Sequence, residues 1–197
     1  DTGIDLKNEE LKKQLWQNIG ESGIDSQGRD KSTNGVDDDQ NGYVDDIYGW
    51  NFFDNTNQLQ DNHGHGTHIA GIIYNELKKL KIESYFRFQI LKYYDSDRPA
   101  KGLIQASNRS LEYALNNNSQ LINYSGGGYE PNKDEEKWIK KLQEKNIPLV
   151  AALGNQNLNT DLNPFFPASY HLDNIFAIGA AQKNQQAAHF SNYGKIL

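Results

Sequence analysis

Three short apolar segments recur through the second half of the chain: Leu121-Ile122-Asn123-Tyr124, Pro148-Leu149-Val150-Ala151-Ala152 and Ile175-Phe176-Ala177-Ile178-Gly179. Strands this short and this apolar are stable only when both faces are covered, and strands separated by helices return in parallel. The pattern restricts the chain to an α/β architecture with a parallel sheet. Residues 134–145 supply one covering helix, with Trp138, Ile139 and Leu142 expected to face inward. Upstream, Phe86-Arg87-Phe88-Gln89-Ile90-Leu91 predicts a further strand, and roughly Gly102–Asn116 a helix. Gly64 to about Leu80 predicts a helix with a small, apolar first half. Residues 8–18 predict another, because Leu11, Leu15 and Trp16 follow Asn8 and two glutamates at helical spacing. There are no internal repeats.

Between about Gly20 and Gln60 the composition turns to Asp, Asn and Gly, which predicts a long loop of the kind that is functional or held by a ligand. The whole chain, at 197 residues, is long enough for one domain with a substantial core. A net charge of −6 without a basic cluster argues against a nucleic-acid partner. No apolar run approaches the ~20 residues of a membrane span. The absence of cysteine excludes disulfides and thiolate metal sites. With no Met and an opening Asp1-Thr2-Gly3, the chain is expected to be an internal piece of a longer protein, and a monomer is expected.

The acidic loop contains Asp37-Asp38-Asp39-Gln40-Asn41-Gly42-Tyr43-Val44-Asp45-Asp46. It fits D-x-D-x-N-G-x-x-D, the first nine positions of an EF-hand-type calcium loop with its turn glycine at position six. Tyr48 occupies the twelfth position, so the usual bidentate Glu is absent. Crowded carboxylates repel unless a cation or solvent screens them. Calcium is therefore the expected cofactor, held by Asp37, Asp39, Asn41, Asp45 and the Tyr43 carbonyl; the alternative is a solvated acidic turn.

Asp61-Asn62-His63-Gly64-His65-Gly66-Thr67-His68-Ile69-Ala70-Gly71 places an imidazole at a glycine-flanked helix entry, where a general base is presented well. Asp1-Thr2-Gly3 and Ala151-Ala152-Leu153-Gly154-Asn155 are each ordinary turn signals alone. In a parallel α/β sheet, however, sites form at the carboxyl ends of strands, where Asp1, Gly126–Gly128 and Asn155 fall. Taken in order, Asp, then His-Gly-Thr-His-x-Ala-Gly, then Ala-x-Gly-Asn resembles the subtilisin-like serine proteases, the subtilases, whose triad runs Asp, His, Ser. Ile122–Gly128, Phe166-Pro167-Ala168-Ser169 and Phe190-Ser191-Asn192-Tyr193-Gly194 extend the likeness along nearly the whole chain.

The resemblance implies a three-layer fold with a mainly parallel central sheet flanked by helices, here truncated at both ends. It implies that Asp1 orients the imidazole, His65 is the general base and Asn155 donates to the oxyanion. Ser125, Gly126, Gly127 and Gly128 would line the primary specificity pocket and pair with extended substrate, opposite Ala152 and Gly154. Gly126 stands where many relatives carry a bulkier residue, so a wider pocket with an apolar or broad preference is expected. His68 is expected to pack, and His63 to be solvated. Asp61 is read either as a charge that favours basic substrates or as a solvated surface residue. The family nucleophile lies in a Gly-Thr-Ser-Met-Ala motif that this chain lacks, and Ser125, Ser169 and Ser191 match other family positions. The resemblance thus implies a secreted or cell-surface endopeptidase acting on polypeptides, with a possible pro-domain, whose serine lies beyond Leu197. Residues 1–197 alone are expected to be inactive. Alternatives are a non-catalytic peptide-binding module of the same fold or a calcium-stabilised surface domain.

Overall fold

A computed structural model describes residues 1–95 and 102–195. The chain divides into two compact units, residues 1–110 and 111–197. In the first, β1 (Gly49–Asn51) pairs in parallel with β2 (Ile90–Lys92), in the register Gly49↔Ile90, Trp50↔Leu91, Asn51↔Lys92. Its helices are the single-turn α1 (Glu9–Lys12) and the long α2 (His65–Leu80). In the second, β3 (Ile122–Tyr124), β4 (Leu149–Ala152) and β5 (Ile175–Ile178) form a parallel sheet in that order, with α4 (Lys133–Glu144) between β3 and β4 in sequence. Helix α3 (Leu103–Asn116) carries the chain from one unit to the next. Among the described residues, every strand pairs in parallel and no helix is long and apolar enough to cross a membrane.

The expected helix over residues 8–18 is only one turn long. Asn8 caps it, its side chain accepting from the Glu10 and Leu11 amides, and the chain then becomes extended. Phe88 N donates to Gln14 O (2.7 Å) and Trp16 N to Phe88 O (2.9 Å), a parallel bridge centred on Leu15 and Phe88. Leu11 and Leu15 are both buried, with Ile4 and with Ala70 and Tyr74 of α2. One turn followed by an extended residue places them inward as well as a continuous helix would, so spacing alone does not separate the two.

The expected loop from Gly20 to Gln60 contains β1. Its Trp50 is buried and the following Phe52 is fully so. Gly49 sits so close to β2 that a β-carbon there would lie 2.0 Å from the Ile90 carbonyl oxygen. The strand lies in the apolar run Ile47–Phe53, which is short and set within an Asp- and Asn-rich stretch, so composition averaged over Gly20–Gln60 hides it. The strand expected at Phe86–Leu91 is shifted toward its end, because Phe88 is spent on the bridge to Leu15.

In the second unit, Leu149 and Ala151 of β4 have no exposure at all. Helix α4 meets its own unit through Glu135, Ile139 and Leu142, spaced i, i+4, i+7 and all buried. Trp138, expected inward, is only half-buried and lies under the Lys141 ammonium, 4.0 Å from its ring centroid. The inward position falls to Glu135 because its carboxylate finds two donors, the hydroxyls of Tyr124 (2.7 Å) and Tyr170 (2.8 Å). Burial pushes the Glu135 carboxyl up, and the two tyrosine bonds pull against it.

Candidate active site

In the first unit the segment Asp1–Ile4 lies beside Leu59–Asp61: Ile4 N donates to Leu59 O (2.9 Å) and Asp61 N to Ile4 O (3.2 Å). Tyr93 N, just past β2, donates to Asp1 O (3.1 Å). These bonds aim the Asp1 side chain at the start of α2. Its Oδ1 accepts from Thr2 N (2.7 Å) and lies 2.8 Å from His65 Nδ1. With Nδ1–H donating to that carboxylate, Nε2 is left as the proton acceptor, the tautomer a general base requires. The His65 side chain is 43% exposed and the Asp1 side chain 23%, so the ring is open to a reactant while its partner is mostly shielded.

The close approach depends on Gly66. A β-carbon there would lie 2.3 Å from Gly3 O and 3.1 Å from Asp1 Oδ1. The first turn of α2 is fixed by Asp61, which is neither a solvated surface residue nor free to meet a substrate's charge. Asp61 is buried, and its Oδ1 accepts from Thr2 Oγ1 (2.8 Å), His63 N (3.1 Å) and Gly64 N (2.8 Å). Its Oδ2 accepts from Thr67 N (2.9 Å) and Thr67 Oγ1 (2.6 Å). Thr2 Oγ1 in turn accepts from Gly66 N (2.9 Å). Asp61 is thus the anion at the helix N-terminus, where free amides and the macrodipole favour it. Burial alone would raise its carboxyl, but the bonds from Thr67, Gly64 and Thr2 outweigh it and hold the group well below the usual carboxylate range. His63 is exposed as expected; His68, expected to pack, is exposed too.

The second unit carries the remaining predicted residues. Ser125 Oγ accepts from Asn123 Nδ2 (2.7 Å). Gly128, which follows Gly126 and Gly127, pairs with Phe166 through reciprocal backbone bonds of 2.9 and 2.7 Å. Ala152 ends β4, and Gly154 lies just beyond it. The turn that follows is braced by Asn192, which in the sequence stands only as one residue of the Phe190–Gly194 segment. Its Nδ2 donates to Leu153 O (3.0 Å), its Oδ1 accepts from Gln156 N and Leu158 N (both 3.0 Å), and its N donates to Gly154 O (3.0 Å). Asn155, held on this turn, is exposed, and its backbone N donates to Gln156 Oε1 (2.8 Å). The hydroxyls of Ser169 and Ser191 are engaged locally, by Phe165 N (3.0 Å) and by Ala180 N (2.9 Å).

The acidic loop folds on itself. Asp37 accepts from Asn41 N (3.0 Å) and Gly42 N (2.8 Å), and Asp39 from Asn41 N (3.2 Å). Tyr43 N donates to Asn41 Oδ1 (2.8 Å), and its ring meets Trp50 and Phe52 edge-on. Asp45, an expected ligand, instead turns its carboxylate to Gly35 N (3.0 and 3.3 Å), with a positive φ of 55°. Its neighbour Asp46 is the one directed inward, fully buried and bonded by Asn18 Nδ2 (2.7 Å) and Asn41 Nδ2 (3.0 Å). Among the described residues, the carboxylates that can share one ion are Asp37, Asp39 and Glu21, with ligand atoms within 4.8 Å of one another. Glu21, distant in sequence from the loop motif, has no exposure; its Oε1 accepts from Asp38 N and Asp39 N, and its Oε2 is buried without a partner. Burial pushes its carboxyl up, the two amides pull it down, and the charges of Asp39 and Asp46 push it up again, with a net upward shift. Glu21, Asp37 and Asp39 all offer hard oxygen donors, and Glu21 Oε2 among them is buried without a partner, the chemistry that a calcium ion would suit.

The chain belongs to the subtilase family, which it matches over residues 1–197. Subtilisin-like protease 1 of Plasmodium falciparum (isolate 3D7) is 28% identical over 97% of this chain, and subtilisin BL of Lederbergia lenta 32% over 70%. The chain spans 29% and 50% of those two proteins. Among solved structures, a lanthipeptide protease superposes over 100% of the chain with a TM-score of 0.71 at 19% identity, covering 51% of that protein. The epidermin leader peptide processing serine protease of Staphylococcus aureus does so with a TM-score of 0.63 at 18% identity, covering 48% of it. At these identities the two structures establish the subtilase fold.

Replacing Asp61 by Asn should cost about 1.5–3 kcal/mol at pH 7, since it weakens charge-assisted bonds to a helix N-terminus. A carboxyl whose pKa is depressed by folding stabilises above its unfolded value, near 4, and loses that contribution as the pH falls toward the folded value. Melting curves should therefore show a steeper loss of stability on acidification in the parent than in Asp61→Asn.

Proposed function

We propose that the protein is a serine endopeptidase of the subtilase type. The observation that carries this reading is the 2.8 Å contact of Asp1 Oδ1 with His65 Nδ1 at the start of α2. His65 Nε2 takes the proton of the attacking serine hydroxyl, and Asp1 holds the tautomer and stabilises the imidazolium. The serine oxygen bonds to the scissile carbonyl carbon, the C–N bond breaks with the proton passed to the leaving amine, and water then hydrolyses the acyl-enzyme. Asn155 donates its side-chain amide to the oxyanion, and Ser125–Gly128 pairs with extended substrate in β fashion, a reading supported by the order of these motifs along the chain. The nucleophile is a serine in a Gly-Thr-Ser motif outside residues 1–197, so these residues alone are inactive. The parent protein acts as a secreted or cell-surface enzyme. Calcium serves structure, held by Asp37 and Asp39 of the loop with Glu21.

The full-length parent should be labelled by a fluorophosphonate at one serine. Its turnover should fall on the order of 10⁶-fold in His65→Ala, about 10⁴-fold in Asp1→Asn and about 10²–10³-fold in Asn155→Ala. No labelling and no peptide cleavage would instead favour a non-catalytic binding module of the same fold.

Calcium at about 100 times its Kd should stabilise the parent by about 2.7 kcal/mol, raising its Tm relative to chelator-treated protein. Glu21→Gln and Asp37→Asn should each weaken the heat of calcium titration, whereas Asp45→Asn should leave it near the parent value. No heat and no Tm change would refute the calcium assignment.

A further inference from the structure

We infer that Phe165 fills the space between the two pocket walls and restricts the substrate residue on the acyl side of the scissile bond to Gly, Ala or Ser. The inference rests on the protease reading above, and on the assignment of 125–128 and 152–154 as pocket walls. It replaces the broad pocket expected from Gly126.

One ring touches both walls. A β-carbon built on Gly127 would lie 2.5 Å from Phe165 Cε1, and one built on Gly154 would lie 3.2 Å from Phe165 Cδ2. The space beside Gly127 is taken by Phe165 together with the Phe166 carbonyl (2.3 Å), and that beside Gly154 by Asn192 Nδ2 (2.4 Å), Gln156 Oε1 (3.1 Å) and the same ring, so neither is left to a ligand. Phe165 is buried, at 8% exposure. It is also held: its N donates to Ser169 Oγ (3.0 Å), and the next residue, Phe166, is bonded in both directions to Gly128.

A second feature closes the same space. The Tyr129 ring meets Phe165 edge-on, with centroids 5.2 Å apart and planes at 78°. Tyr129 OH then donates to Gln156 Oε1 (2.8 Å), the oxygen that also accepts from Asn155 N (2.8 Å). This bond runs from the residue after one wall to a residue just after the other. It straps the walls at the spacing set by the wedged ring. A close-packed aromatic contact yields little to an incoming side chain, and overfilling such a site displaces its lining. A hydrogen or a methyl group meets the ring without displacing it; a large aromatic or long basic side chain does not.

The test uses the full-length parent and a series of peptides differing only in the residue before the scissile bond: Gly, Ala, Ser, Leu, Phe and Arg. The expected kcat/KM is highest for Ala, Gly and Ser and lower by on the order of 10²-fold for Phe and Arg, the scale of misfit in an apolar pocket. Phe165→Ala should raise kcat/KM for the Phe peptide by about 10-fold or more while cleavage of the Ala peptide persists, which also reports an intact fold. Tyr129→Phe, which removes the strap without emptying the pocket, should give a smaller gain for the Phe peptide. Parent protein that cleaves the Phe or Arg peptide as well as the Ala peptide overturns the inference, even if Phe165→Ala does not fold. Cleavage of none of the peptides overturns the protease reading beneath it.

Discussion

The geometry of the first unit depends on the buried Asp61 carboxylate. It gathers Thr2, the 61–64 turn and the first turn of α2 around one charge, through five hydrogen bonds to Thr2, His63, Gly64 and Thr67. A lone buried carboxylate would be costly; here helix amides and hydroxyls replace its water shell. Because Thr2 follows Asp1 and Gly64 precedes His65, the same bonds fix the backbones that present the acid and the base. The Asp1–His65 contact is exposed enough to be worth little to stability, and its value is in orientation.

Close backbone approach is the second recurring device. Gly66 lets α2 start against Gly3, Gly49 lets β1 reach β2, Gly127 admits the Phe165 ring and the Phe166 carbonyl, and Gly154 admits the Asn192 side chain. In each case the missing side chain places neighbouring groups where a larger residue would hold them apart. Asn192 serves the second unit as Asp61 serves the first: one buried side chain satisfies the polar groups of a turn that carries an exposed functional residue, Asn155.

Much of the fold was legible because its elements are long or strongly apolar. The span of α2 and the strands β3, β4 and β5 follow from periodicity and from runs such as Leu149–Ala152, but the two-sided cover expected of them fails at β5, where Phe176 and Ile178 are exposed. Elements formed by long-range pairing were not legible. Strand β1 exists because β2 is beside it, and α1 ends early because Phe88 draws Leu15 into a bridge. The site divides the same way. Asp1, His65 and Asn155 stand in ordered motifs, so their types and sequence order pointed to chemistry. Glu21 lies far from the acidic motif and meets it only through folding. The choice of Asp46 over Asp45 as the inward carboxylate depends on a left-handed backbone at Asp45, and Asp61 reads as a surface charge until its five donors are seen.

The central claim is that His65, oriented by Asp1, activates a serine for covalent catalysis. Intact-mass spectrometry of the full-length parent mixed with a slowly hydrolysed ester tests it directly. The account predicts a transient mass increase of one acyl group, mapped to a serine in a Gly-Thr-Ser motif and lost in His65→Ala. Peptide or ester hydrolysis with no acylated species, or acylation unchanged by His65→Ala, would contradict it.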